Sequence, residues 1–204
     1  MKKSNSHFII RFAWPILILS FFLGAAGCSK GIIKTGNDIP DEWKCDEEAD
    51  QSLMREDYDE AILLHEKLLD EDPSNSLALY HLGYAYGCLG EHDREISCYE
   101  EAISGGYRTG GIFFNLGMAY GETGNVMNSI KAFKKGIEID PANPDLHFGL
   151  AVAYQKASEY ELSEAEFLKT IELDPKNLES RFYLGLQYAD RGDGGKAREQ
   201  AMKI

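Results

Sequence analysis

The phrase LGMAYGETG at residues 116–124 returns, with substitutions, at a fixed step of 34 residues. Upstream stands LGYAYGCLG from residue 82; downstream stand LAVAYQKAS from residue 150 and LGLQYADRG from residue 184. Tyr86, Tyr120, Tyr154 and Tyr188 keep the step, and so do Gly90, Gly124, Ser158 and Gly192. Pro73, Pro141 and Pro175 mark a second register, with Tyr107 where a further proline would stand. A period of this length marks a solenoid, because one such unit is too small to bury its own apolar face and must stack on its neighbours.

Within a period the spacing is helical. Phe113, Leu116, Gly117 and Tyr120 fall at i, i+3, i+4 and i+7, and Gly124 follows as a helix stop. Ile130, Phe133 and Ile137 repeat the three-and-four spacing, and DPANP with Pro141 closes that second helix. A glycine inside a helix costs about 1 kcal/mol against alanine, so its return at Gly83, Gly117 and Gly185 implies a close helix crossing. These units resemble tetratricopeptide repeats: a small residue at the crossing, an aromatic one turn later, and a terminal Asp-Pro in EDP, IDP and LDP. The resemblance implies an all-α, right-handed superhelical solenoid of about five helical hairpins over residues 42–204, with units near 42–75, 76–109, 110–143, 144–177 and 178–204.

The departures from the pattern are local. The first helix of unit one, WKCDEEADQSLM, is mostly polar, as suits a terminal unit facing water. SGGYRTGG replaces the usual Asp-Pro turn between units two and three and reads as a loosened turn; it lacks the GK[ST] and the preceding strand of a phosphate loop. Glu95 stands where the family prefers a small residue, which puts the packing there in question.

One residue beyond the packing face, the first helices carry a further apolar row at i and i+4. Its members are Tyr80 and Tyr84, Phe114 and Met118, Phe148 and Val152, and Phe182 and Leu186. An offset of one residue turns a helix by about 100 degrees, so these helices are apolar over more than one face. The row resembles the ligand-contacting positions of the family's concave groove, which implies docking of an apolar helix or extended peptide. It equally suits interior helices that touch neighbours on several sides. The groove does not resemble the type that clamps a terminal carboxylate, because aromatic residues fill the lysine position in units two to five and Asp46 fills it in unit one.

The first 27 residues differ from the rest. They carry Lys2, Lys3 and Arg11, no Asp or Glu, and the apolar run FAWPILILSFFLGAAG from Phe12 to Gly27. That run is shorter than the roughly 20 residues of a spanning helix, contains Pro15 and ends on small residues, the shape of a secretory signal. AAGC with Ser29 following resembles the lipobox of bacterial lipoproteins, which implies lipid attachment at Cys28, and the segment SKGIIKTGNDIP, mixed in Gly, Lys and polar residues with no period, reads as a tether within residues 28–41. Two or three acyl chains anchor a protein firmly. In that family an Asp after the cysteine favours inner-membrane retention, so Ser29 implies the periplasmic side of an outer membrane where the host has one.

Composition excludes some functions. With 34 acidic against 21 basic residues and a net charge of -13, the chain offers no cationic groove for nucleic acid. His65, His81, His92 and His147 stand apart in sequence, no nucleophile motif accompanies them, and no metal-ligand spacing is present. No catalytic residue, metal or cofactor is therefore expected. Cys45, Cys88 and Cys98 form no CxxC pair and are expected as small buried hydrophobes with free thiols. The expected function is a lipid-tethered scaffold for another envelope protein; the alternative is a self-associating structural array.

Overall fold

The repeat dictates two helices per period. In the computed structural model, which describes residues 46–203, the chain forms ten helices and no strand among the described residues. They are α1 (Glu47–Met54), α2 (Tyr58–Glu71), α3 (Ser76–Cys88), α4 (His92–Ser104), α5 (Gly110–Glu122), α6 (Val126–Ile139), α7 (Pro144–Lys156), α8 (Tyr160–Leu173), α9 (Leu178–Asp190) and α10 (Gly194–Ala201). Each odd helix pairs with the next to make a hairpin, each hairpin packs on its neighbour, and α5 touches both α3 and α7. The signal segment, Cys28, the tether and Cys45 lie outside the described residues. No helix among the described residues is long and apolar enough to cross a membrane.

Local chemistry fixes the helix ends. Asp57, Asn75, Asn125, Asn177 and Asp193 each cap a helix by accepting a hydrogen bond from a backbone amide three residues on. Between the two helices of every hairpin the chain passes through one left-handed residue: Glu56 (φ 60), Gly90, Gly124, Ser158 (φ 63) or Gly192. The amide beyond it then reaches back to the carbonyl of Ser52, Tyr86, Tyr120, Tyr154 or Tyr188, closing the helix in a Schellman arrangement.

The SGGYRTGG turn is not loosened, in contrast to the reading from its glycines. Tyr107 N donates to Ala102 O at 2.9 Å, Arg108 Nε donates to Ile103 O at 3.1 Å, and the Tyr107 ring stacks on Tyr80 at 4.9 Å. Tyr107 thus does by stacking what a proline does elsewhere in the array, namely fix the passage into α5.

The core runs along the axis as linked clusters. One joins Tyr99, Ala102, Ile112, Phe113 and Leu116; the next joins Ile130, Phe133, Leu146, Leu150 and Tyr154; a third joins Ala151, Phe167, Leu184 and Tyr188. The repeating small residue is where helices cross: a Cβ built on Gly83 would stand 2.7 Å from the Tyr99 ring, and one on Gly117 2.8 Å from the Phe133 ring. The tyrosines at the 34-residue step lock successive hairpins. Tyr86 Oη donates to Glu66 at 2.9 Å and Tyr188 Oη to Glu164 at 2.8 Å, Tyr120 Oη donates to Glu100, and Tyr154 instead has Lys134 over its ring.

Candidate functional site

The apolar row of the first helices is the candidate docking surface, and its members differ in how much of them remains available. Tyr80, Tyr84, Phe114, Met118, Phe148 and Val152 are all half-buried. Tyr80 lies against Tyr99 and Tyr107, and its hydroxyl accepts a hydrogen bond from Asn115 Nδ2 at 3.4 Å. Phe114 packs edge-on against Phe133 at 5.9 Å, and Phe148 against both Phe167 and Tyr183. Much of the row therefore serves the joints between units as well as whatever faces outward. Phe182 and Leu186 differ, being 49% and 44% exposed. With Leu178, 50% exposed and four residues earlier on α9, they form an apolar stripe open to solvent.

Electrostatics around the row match burial. The Tyr80 phenol is pushed well above its ordinary range, first by burial and then by Tyr107. Burial likewise raises Tyr84, and the Cys88 thiol beside it adds to the shift. These phenols stay neutral hydrogen-bonding groups, so the row presents no charge of its own. Cys88 is half-buried and Cys98 buried, both free thiols, and burial pushes Cys98 up to about 12. Neither thiol is a ready nucleophile, because the thiolate is the reactive form.

The polar residues follow their own logic. His147 is buried with Nδ1 2.6 Å from Glu166 and Nε2 3.0 Å from Pro141 O, so both ring nitrogens have partners and the ring ties α7 to α8. His92 Nδ1 lies 2.8 Å from Glu95. The expectation that the histidines stand apart with no ligand set needs correction at the other end of the chain. Asp50 of α1, His65 of α2 and His81 of α3 bring their ligand atoms within 4.8 Å of one another. Sequence spacing hid this cluster because each residue sits on a different helix, and one period on the same positions hold Tyr84, Tyr99 and Asn115, none of them a His, Cys or carboxylate.

Family models support the fold independently. A tetratricopeptide repeat model matches residues 49–110 and 148–203, and a TPR repeat model matches residues 117–158. The chain belongs to the tetratricopeptide repeat (TPR) family. Solved TPR proteins share its architecture. A crystal structure of MamA aligns with a TM-score of 0.74 at 23% identity over 78% of this chain and 93% of that one. MamA residues 41 to the end from Desulfovibrio magneticus RS-1 align at 0.73 and 18% identity, over 76% of this chain and 88% of that one. YrrB aligns at 0.69 and 19% identity, over 76% of this chain and 80% of that one. No curated protein sequence matches the chain. At these identities the solved TPR structures speak for the fold alone.

Proposed function

We propose that this TPR protein is a scaffold tethered to a bacterial membrane by lipid on Cys28, and that it docks another cell-envelope protein through the apolar row of its first helices. The observation that carries the docking reading is the exposed stripe Leu178, Phe182 and Leu186, continuous in register with the half-buried Phe148, Val152, Phe114 and Met118. TPR arrays bind proteins and peptides, and YrrB is described as a TPR protein with an unusual peptide-binding site. The tether reading rests on AAGC and the apolar run before it. Assembly of secretion, pilus or outer-membrane machinery is a setting suited to such a protein.

The experiment is crosslinking in membranes followed by identification of captured proteins, comparing the natural chain with a Phe182→Ser, Leu186→Ser variant. Both side chains are exposed, so the variant keeps the core intact. A partner captured by the natural chain and lost in the variant supports docking through the stripe; equal capture overturns it. The same stripe favours the alternative of self-association, and sedimentation distinguishes the two: an oligomer that dissociates in the variant, with no second protein captured, assigns the stripe to another copy of this chain. Tethering is tested separately by Cys28→Ala, which is expected to release the protein from the membrane fraction; unchanged retention overturns the lipid anchor.

A further inference from the structure

We propose that Asp50, His65 and His81 form a binding site for one divalent first-row metal ion of the zinc class, tying α1, α2 and α3 together at the start of the array. The three donors suit such an ion, since imidazole nitrogens with a carboxylate oxygen are a donor set found at zinc and related metals. His81 Nδ1 lies 2.8 Å and His65 Nε2 4.0 Å from Asp50 Oδ1, and all three ligand atoms fall within 4.8 Å of one another. A tetrahedral ion with bonds of about 2.0–2.2 Å holds its ligand atoms about 3.3–3.5 Å apart, so the observed separations bracket what the ion requires.

His65 supplies the independent observation. It is 1% exposed, yet neither ring nitrogen has a hydrogen-bond partner. Buried polar groups are paired in the great majority of cases, and an unpaired one carries its full desolvation cost. Its ring meets that of His81 edge-on at 5.1 Å, with Asp50 facing both. His147, by contrast, satisfies both nitrogens within the protein and offers nothing to an ion. Asp50 and His81 retain 28% and 15% side-chain exposure, which gives the ion an entry path and leaves a coordination position for water or a fourth ligand.

The site also has a structural purpose. α1 is short and rich in acidic residues, and its buried residues are Ala49, Ser52 and Leu53, two of them small. A metal joining one side chain from each of three helices cross-links α1 to the helices it lies against, and its binding free energy adds to folding.

The test is zinc titration of the full chain in detergent micelles, read by competition with a chromogenic chelator, with thermal unfolding alongside. The expected result is one ion per chain and a melting temperature that rises with free zinc. Asp50→Asn and His81→Gln, both partly exposed and so foldable, are each expected to weaken binding by roughly tenfold or more, as even supporting ligand partners do at metal sites. Cobalt substitution separates this site from the cysteines: a spectrum without a thiolate charge-transfer band is expected. No stoichiometric zinc binding, unchanged affinity in both variants, or a thiolate band on cobalt would each overturn the site.

Discussion

The carboxylate of Glu95 occupies the space that Gly87 leaves by having no side chain: a Cβ at Gly87 would stand 2.5 Å from Glu95 Oε1. Glu95 is the residue that departs from the small side chain usual at its place in the repeat, and Gly87 is the accommodation. The buried carboxylate also meets His92 Nδ1 at 2.8 Å. The two residues therefore form one unit of packing across α3 and α4. Gly87→Ala is expected to cost about 1–3 kcal/mol in the natural chain, as overpacking does. With Glu95→Ala already in place the same change is expected to be neutral or stabilising, because alanine favours the helix by about 1 kcal/mol. A double-mutant cycle by urea unfolding checks this, and additive effects would show that the two side chains do not share the space.

The same carboxyl gives a pH dependence with a definite sign. Burial raises the Glu95 carboxyl above its ordinary range, and the His92 contact only partly opposes this. Below that range the native and unfolded states both hold the proton. As pH rises past it the unfolded chain releases its proton first, so stability contributed by Glu95 is present at low pH and is lost as pH rises through the window up to the native value. Glu95→Gln abolishes that dependence. Its unfolding midpoint relative to the natural chain is expected to improve as pH rises from about 4, the ordinary carboxyl range; a difference that stays constant, or falls, contradicts a raised native carboxyl.

Phe133 packs against two helix glycines at once. A Cβ at Gly117 would stand 2.8 Å from its ring and one at Gly149 2.4 Å, so a single ring fills the gap between α5, α6 and α7. Gly149→Ala is expected to destabilise by about 1–3 kcal/mol despite alanine's helix preference. Phe133→Ala is expected to cost about 3–5 kcal/mol by leaving a cavity, and Gly149→Ala added to it should cost nothing further. Thermal unfolding of the three variants measures this, and a penalty for Gly149→Ala that persists without the ring would place its cause elsewhere.

The tyrosine locks divide by partner. Tyr188 Oη donates to Glu164 at 2.8 Å, whereas the Tyr154 ring lies under Lys134 Nζ, 5.5 Å from its centroid, a contact that uses the ring face. Tyr188→Phe is expected to cost about 1 kcal/mol, the net worth of a hydrogen bond. Tyr154→Phe keeps the ring face and is expected to stay within about 0.5 kcal/mol of the natural chain. Equal losses in the two variants would deny the distinction.

Periodicity made the backbone legible and left the exceptions hidden. The step of 34 residues places every helix pair, the crossing glycines and the left-handed hairpin residues, because each is imposed again by every neighbouring unit. The apolar row from Tyr80 to Leu186 is equally legible as a row, but its openness is not. Whether a side chain such as Phe148 faces solvent depends on Phe167 and Tyr183 packed against it, and no local pattern records that contact. Asp50, His65 and His81 are hidden for the opposite reason: they meet across three helices at repeat positions that one period on hold Tyr84, Tyr99 and Asn115, so no periodic signal marks them as ligands.

The hairpin residue of unit four tests how strictly the repeat governs the backbone. Ser158 holds φ 63 and Glu56 φ 60 in the left-handed region, at the places where Gly90, Gly124 and Gly192 hold the same conformation. The demand comes from the Schellman closure, in which Glu159 N reaches Tyr154 O at 2.9 Å and Asp57 N reaches Ser52 O at 2.9 Å, and no right-handed residue brings those groups together. A side chain there opposes its own carbonyl, a strain of roughly 1–2 kcal/mol, while glycine gives back roughly 0.5–1 kcal/mol through greater freedom in the unfolded chain. Ser158→Gly and Glu56→Gly are therefore each expected to stabilise the protein by about 0.5–1 kcal/mol, and Gly124→Ala to destabilise it by a similar amount. A Cβ at Gly124 would meet nothing within 4 Å, so any loss there is backbone strain and owes nothing to crowding. Urea unfolding of the three variants measures the balance, and a loss on Ser158→Gly would mean that the serine side chain contributes more than the strain it imposes.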